Sequence, residues 1–162
     1  MADSGITLRH ADIDEMGGAE TLFREYAAGV GIDLSYQNFE EELESLPGAY
    51  APPRGALLLA EIGGETVGCV AVRPLHGTNF CEMKRLYVRD RARGSGAGRL
   101  LAAAAIAEGC RMGYAAMRLD TLSTMQAALS LYRALGFREI PPYYDTPVPG
   151  TIFLHKDLER GR

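Results

Sequence analysis

The stretch "KRLYVRDRARGSGAGRLL", Lys84–Leu101, joins two kinds of periodicity. "KRLYV" reads as a β-strand, and the alanine-rich "LLAAAAIAEG" that begins at Leu100 reads as a helix. Between them Gly94, Gly96 and Gly98 sit at alternate positions, with Arg89, Arg91, Arg93 and Arg99 around them. A helix N-terminus carries backbone N–H groups without intrahelical partners and a partial positive charge. Glycine lets an anion approach those groups, and arginine adds formal charge and paired donors. The stretch predicts a diphosphate site at the start of a helix running from about Gly96 to Met112 and closed by Gly113.

Spacing argues against two other nucleotide loops. A P-loop needs Lys-Ser or Lys-Thr after its last glycine, and here Arg99-Leu100 follow Gly98. A Rossmann turn reads G-x-G-x-x-G directly after its strand, with an acidic residue about 20 positions on, where Asp120 stands. Here the spacing is G-x-G-x-G, and "RDRAR" separates it from the strand.

Working outward, "GALLLAEI", Gly63-Gly64 and "ETVGCVAVRPL" form a hairpin signal, and "FCEMKRLYV" adds a third strand after the loop "HGTN". Upstream, "ITLRHA" reads as a first strand. Asp12 is placed to cap a helix through "DEMGGAETLFREYAAGVG", and Ser35 to cap a second, "SYQNFEEELESL", stopped by Pro47-Gly48. Downstream come the strand "AAMRLDT", the helix "MQAALSLYRALG", the short strand "FREI", the loop "PPYYDTPVPG" and the last strand "TIFLHKDL". The order is βααβββ-αβαββ. That predicts one mixed α/β domain over residues 1–162, with a single, mostly antiparallel sheet.

At 162 residues, 47% hydrophobic and 23% charged, the chain has the composition of one soluble globular domain. A net charge of −4 gives no general reason for nucleic-acid binding, and it slightly favours a cationic substrate. Cys69, Cys81 and Cys110 form no C-x-x-C pair and read as free thiols of a reducing compartment. "MADSGITLRH" has no apolar leader core, and no run is long enough to span a bilayer, so a cytoplasmic protein without membrane contact is expected.

With both flanks in view, "KRLYVRDRARGSGAGRLL" resembles the cofactor motif of the GNAT superfamily of acyl-CoA-dependent N-acetyltransferases. The pattern Q/R-x-x-G-x-G/A is met by Arg93, Gly96 and Gly98, and "ALSLYRALGF" is similar to the second motif of that superfamily, L-Y-x-x-x-G-F. The resemblance covers essentially the whole chain and is densest from Glu82 to Phe137. It implies acetyl-CoA as cosubstrate, no metal, helices on both faces of the sheet and middle strands that splay apart. The pyrophosphate would lie on the backbone of Arg93, Gly94, Ser95, Gly96, Ala97, Gly98 and Arg99. The pantetheine arm would run beside Leu86, Tyr87 and Val88, where an N–H near Leu86 or Tyr87 would stabilise an oxyanion.

Amine acetylation needs a proton acceptor for the amine and a donor for the leaving thiolate. The resemblance places Tyr132 as general acid. A phenol with a pKa of about 10 suits the task, although Leu129, Leu131 and Leu135 also make it a packing residue. Glu82 coincides with the strand glutamate that serves as base in part of the superfamily; an acid in that strand must otherwise be paired, and Lys84 lies two residues on. His76 and a water chain are the alternatives. Many members carry Asn seven residues before the tyrosine. Here that residue is Met125, which leaves capping to Ser123 or Thr124 and puts the pantetheine contact of that Asn in doubt.

The first two helices and the last long loop select the acceptor in this superfamily. They supply Glu25, Tyr26, Tyr36, Phe39, Glu40, Tyr143, Tyr144 and Asp145, with Tyr26, Tyr36, Tyr143 and Tyr144 as the candidate substrate contacts. Acids and aromatics together suit a cationic amine. The expected function is acetyl transfer to a primary amine of a small molecule, by a monomer or homodimer. A protein N-terminus or lysine as acceptor, and a non-catalytic acyl-CoA sensor, are the alternatives.

Overall fold

A computed structural model describes residues 5–31 and 33–159 of the chain. The two ends of the domain expected over 1–162 lie outside the described residues. The elements run β1 (Ile6–His10), α1 (Met16–Val30), α2 (Phe39–Ser45), β2 (Ala56–Ile62), β3 (Glu65–Pro74), β4 (Phe80–Val88), α3 (Ala97–Arg111), β5 (Ala116–Leu122), α4 (Gln126–Ala134), β6 (Arg138–Ile140) and β7 (Thr151–Asp157). This is the βααβββ-αβαββ order read from the sequence.

The strands form one sheet ordered β1-β2-β3-β4-β5-β7-β6. Every neighbouring pair is antiparallel except β4 and β5, which α3 connects in parallel. That pair holds through Phe80↔Ala116, Cys81↔Met117 and Glu82↔Arg118, and then the two strands part. A bulge in β4 accompanies the split. Cys69 and Ala71 of β3 pair with Tyr87 and Lys84, so β4 carries one extra residue over this step. Arg85 absorbs it with a φ of 62°. A bulge bends its strand and increases the local twist, which is how β4 can stay on β3 while leaving β5.

The sheet buries both faces. In β2, Ala56, Leu58 and Ala60 join the core under α3 and α4, while Leu57 and Leu59 join the core under α1 and α2. This explains an apolar run with no polar alternation. Gly109 lets α3 sit close to the sheet. A Cβ there would come within 3.0–3.1 Å of Leu158, Cys81 and Met117 side chains.

Two local expectations are corrected, and the Asp12 cap is placed one short turn before α1. Ser35 does not open one continuous second helix. A 3-10 turn covers Leu34–Gln37, Asn38 breaks the helix at a φ of 57°, and α2 starts at Phe39. The Asp33 carboxylate accepts the Ser35 N–H at 2.9 Å and so takes the capping role, as short acidic side chains do. Asp12 opens a 3-10 turn over Ile13–Glu15 that leads into α1, and its N–H donates to the Glu15 carboxylate at 2.8 Å. Neither Ser123 nor Thr124 caps α4: Met125 holds that position, and no side chain caps it. The Ser123 N–H is drawn instead to the Gly150 carbonyl at 2.8 Å.

Candidate active site

The loop after β4 is built to expose N–H groups. Gly94 and Gly96 have φ of 83° and 92°, conformations that cost a side-chain-bearing residue about 1–2 kcal/mol. Three of the loop's donors are used internally: Arg93 N–H to Asp90 O, Ser95 N–H to Ala92 O and Ala97 N–H to Ser95 Oγ, at 3.1–3.2 Å. Among the described residues, the N–H groups of Gly94, Gly96, Gly98 and Arg99 have no protein acceptor. They alternate along an exposed turn at the N-terminus of the 15-residue α3. This fits a diphosphate, whose several oxygens need several donors. Arg93 and Arg99 are exposed beside them, and Arg93 Nε donates to Val88 O at 3.2 Å.

Where β4 and β5 part, a cleft leads inward. Its outer part, about 330 Å³, is lined by Tyr26, Gly29, Val30, Leu86, Tyr87, Val88, Leu122, Thr124 and Met125. The inner part, about 50 Å³, shares Tyr26, Leu86 and Met125 with it and adds Lys84, Asp120, Thr121, Ala128 and Tyr132. Tyr132 is 7% exposed, and its hydroxyl has no hydrogen-bond partner among the described residues. Burial, with Tyr26 and Asp120 nearby, pushes its phenol above the ordinary range, so it stays protonated. Met125 turns a thioether to the cleft where an Asn was the family pattern, and its sulfur accepts from Thr121 Oγ1 at 3.7 Å.

A third cavity of about 330 Å³ continues beyond Lys84, walled by Tyr36, Gln37, Asn38, Arg73, Leu75, Glu82, Tyr143 and Tyr144. The proline-rich loop supplies the last two. Their rings pack edge-on against Phe153 at 5.1 Å. The Tyr143 hydroxyl donates to Glu82 at 2.6 Å and the Tyr144 hydroxyl to Asp120 at 2.9 Å. Glu82 is 2% exposed and pairs with Arg73 at 3.0 Å. Burial opposes its charge, yet Lys84, Arg73 and Tyr143 together hold its carboxyl below the usual carboxylate range. Beside it, Arg85 and Glu42 form a buried two-bond pair at 2.9 and 3.0 Å.

The structure thus gathers most of the residues expected from sequence, and it sorts them. Gly94, Gly96, Gly98 and Arg99 form the open cradle; Leu86, Tyr87 and Val88 line the outer cleft. Tyr36, Tyr143 and Tyr144 wall the third cavity with Glu82, whereas Tyr26 faces the cleft. Glu25 is taken up by Arg89 and Tyr87, and Glu40 by Arg24. His76 is exposed and lines none of these cavities. Arg73, Gln37 and Lys84 as cavity residues escaped the sequence reading. For Lys84 a signal existed: it is one of two lysines in a chain with 15 arginines, and it lies in a buried strand. Among the described residues no helix is long and apolar enough to cross a membrane.

Comparison with known proteins agrees with this fold. The family model described as "Acetyltransferase (GNAT) family" matches residues 20–137. An uncharacterized N-acetyltransferase of Schizosaccharomyces pombe is 39% identical over 150 residues, covering 92% of this chain and 90% of that protein. An N-acetylaspartate synthetase of Danio rerio is 30% identical over 132 residues, covering 80% of this chain and 46% of that protein. Among solved structures, a GNAT acetyltransferase of Staphylococcus aureus superposes with a TM-score of 0.78 at 20% identity, covering 95% of this chain and 99% of that one. An acetyltransferase of Salmonella typhimurium, solved with acetyl-CoA, gives 0.69 at 21% identity, covering 97% and 96%.

Proposed function

The chain belongs to the acetyltransferase (GNAT) family, and on that premise we propose that it moves an acetyl group from acetyl-CoA to the primary amine of a small molecule. One observation carries this reading: the outer cleft, the inner cleft and the third cavity follow one another through shared residues, and the cradle adjoins the outer cleft at Val88, whose carbonyl accepts from Arg93 Nε. The cosubstrate supplies an activated thioester when bound. The chain's own residues then do the rest. Gly94, Gly96, Gly98 and Arg99 hold the diphosphate. Leu86, Tyr87 and Val88 guide the arm along β4, and a strand N–H near Leu86 or Tyr87 faces the thioester oxygen. Tyr132, kept protonated by burial, gives its proton to the leaving sulfur.

The acceptor enters through the third cavity. A cavity of about 330 Å³ suits a small molecule. The name of the zebrafish relative, an N-acetylaspartate synthetase, is in keeping with an acceptor of that size. Glu82 was expected as the base. Its lowered proton affinity makes it a better anchor for a protonated amine than a proton acceptor. Tyr36, Tyr143 and Tyr144 add aromatic faces to the same wall. The test is a thiol-release screen with acetyl-CoA against amino acids, polyamines, aminoglycosides and short peptides. Turnover with a small amine supports the reading; turnover confined to peptides would move the acceptor class to proteins.

A further inference from the structure

Among the described residues, Lys84 alone lines both the inner cleft and the acceptor cavity. It stands where the thioester and the amine must meet, and this inference rests on the amine-acetyltransferase reading of those two spaces. The residue type matters. An arginine keeps its proton in any protein setting, whereas a desolvated lysine gives its proton up. In a chain this poor in lysine, one of the two stands buried where the inner cleft meets the third cavity.

Its surroundings suit a free amine. Lys84 Nζ donates to Gln37 Oε1 at 3.1 Å and lies 3.8 Å from Asp120 Oδ2. One N–H is used on Gln37 and a second can point toward Asp120, which leaves the lone pair for the junction. The charged groups packed around it are largely committed elsewhere. Glu82 on β4 pairs with Arg73 of β3, and Arg85 on β4 pairs with Glu42 of α2. Asp120 of β5 accepts from Tyr144, Glu82 accepts from Tyr143, and Tyr26, Tyr36 and Tyr132 complete the neighbourhood. Burial pushes the amine below the usual lysine range, against the pull of Glu82 and Asp120.

We propose that Lys84 is a catalytic residue: as a free amine it takes the proton from the acceptor's ammonium at the junction of the two cavities. One N–H bond of the ammonium breaks, and its electron pair stays on the acceptor nitrogen, which becomes the nucleophile. The proton joins the Lys84 lone pair. The resulting ammonium faces Asp120 and Glu82, and its proton leaves through the acceptor cavity to solvent before the next turnover. Glu82 draws the cation in, and Lys84 neutralises it.

Two measurements test this. In protein labelled with ¹³C at the lysine ε-carbon and saturated with CoA, two lysine signals are expected, assigned with Lys156→Arg. The Lys84 signal should report a free amine at the pH at which the enzyme turns over its amine. A Lys84 signal that reports an ammonium at that pH overturns the proposal. With an amine accepted by the wild type, Lys84→Met and Lys84→Arg should each lose about 100-fold in kcat. Acetyl-CoA affinity should stay within about threefold, and the acidic limb of the pH–rate profile should disappear. A kcat within about threefold of wild type sinks the assignment while leaving the transferase reading intact. A wild type inactive on every amine sinks the transferase reading and the base with it. The NMR arm uses wild-type Lys84, so it stands even if Lys84→Met fails to fold.

Discussion

Lys84 of β4 and Asp120 of β5 face each other at 3.8 Å, two residues beyond Glu82↔Arg118, the last pair that holds the two strands together. The contact spans the apex of the split in the sheet. Backbone pairing ends there, side chains take over, and the space beyond them is the cleft. The inner cleft and the third cavity therefore meet at Lys84.

If Tyr132 serves the leaving thiolate, Tyr132→Phe should leave acetyl-CoA affinity unchanged and lower kcat by about 100-fold. Its hydroxyl has no protein partner among the described residues and Tyr132 lines the inner cleft, so removing that hydroxyl should cost little stability. Steady-state kinetics beside calorimetric binding checks both halves.

The cradle can be tested without disturbing the fold. Gly98 has no positive φ, and a Cβ there would meet only Val88 Cγ2 at 3.7 Å, an ordinary contact. Gly98→Ala should keep or slightly raise Tm while weakening acetyl-CoA binding by about tenfold, or about 1.4 kcal/mol. Gly96→Ala differs: its φ of 92° adds backbone strain, so stability should fall as well. Thermal melts with and without acetyl-CoA separate the two.

These positions also show how far the sequence could be read. The glycine spacing, the arginines and the flanking periodicities were enough for the loop and the element order, because each depends on local backbone chemistry, whereas Tyr132 was singled out only by the likeness of "ALSLYRALGF" to a family motif. The roles of Arg73 and Gln37 were not legible, and for Lys84 only its rarity and its buried strand were. They depend on which way a bulge at Arg85 turns β4 and on where a long loop folds back, and both are set by tertiary packing. Glu82 was recognised as needing a partner, but Arg73, nine positions earlier on the neighbouring strand, supplies it rather than Lys84 alone. The capping residues Ser35, Ser123 and Thr124 failed for a related reason. Asp33 caps a separate turn that ends at Asn38 before α2 begins, and Met125 rather than Ser123 or Thr124 stands at the start of α4.

The Arg85–Glu42 pair should be the most sensitive point for folding. Arg85 is 3% exposed, and its removal strands a largely buried carboxylate. Arg85→Met should cost about 3–5 kcal/mol in denaturant unfolding. A loss under about 1 kcal/mol would show that the pair adds little beyond its own desolvation.

Acid stability should report on Glu82. Its carboxyl is held below the ordinary value in the folded state, so its contribution is complete above that ordinary value, near pH 4.3, and is lost as pH falls through the folded one. The stability gap between wild type and Glu82→Gln should be widest at neutral pH and narrow on acidification. A gap independent of pH would mean that the carboxylate gains nothing from Arg73 and Tyr143.

The most direct measurement of the central claim follows both products of one reaction. Purified protein is incubated with acetyl-CoA and a panel of small amines, and free CoA thiol and the mass of each amine are read together. The account predicts thiol release matched one to one by N-acetylation of a small amine, and loss of both in Tyr132→Phe. Binding of acetyl-CoA with no acetylated amine anywhere in the panel would contradict it.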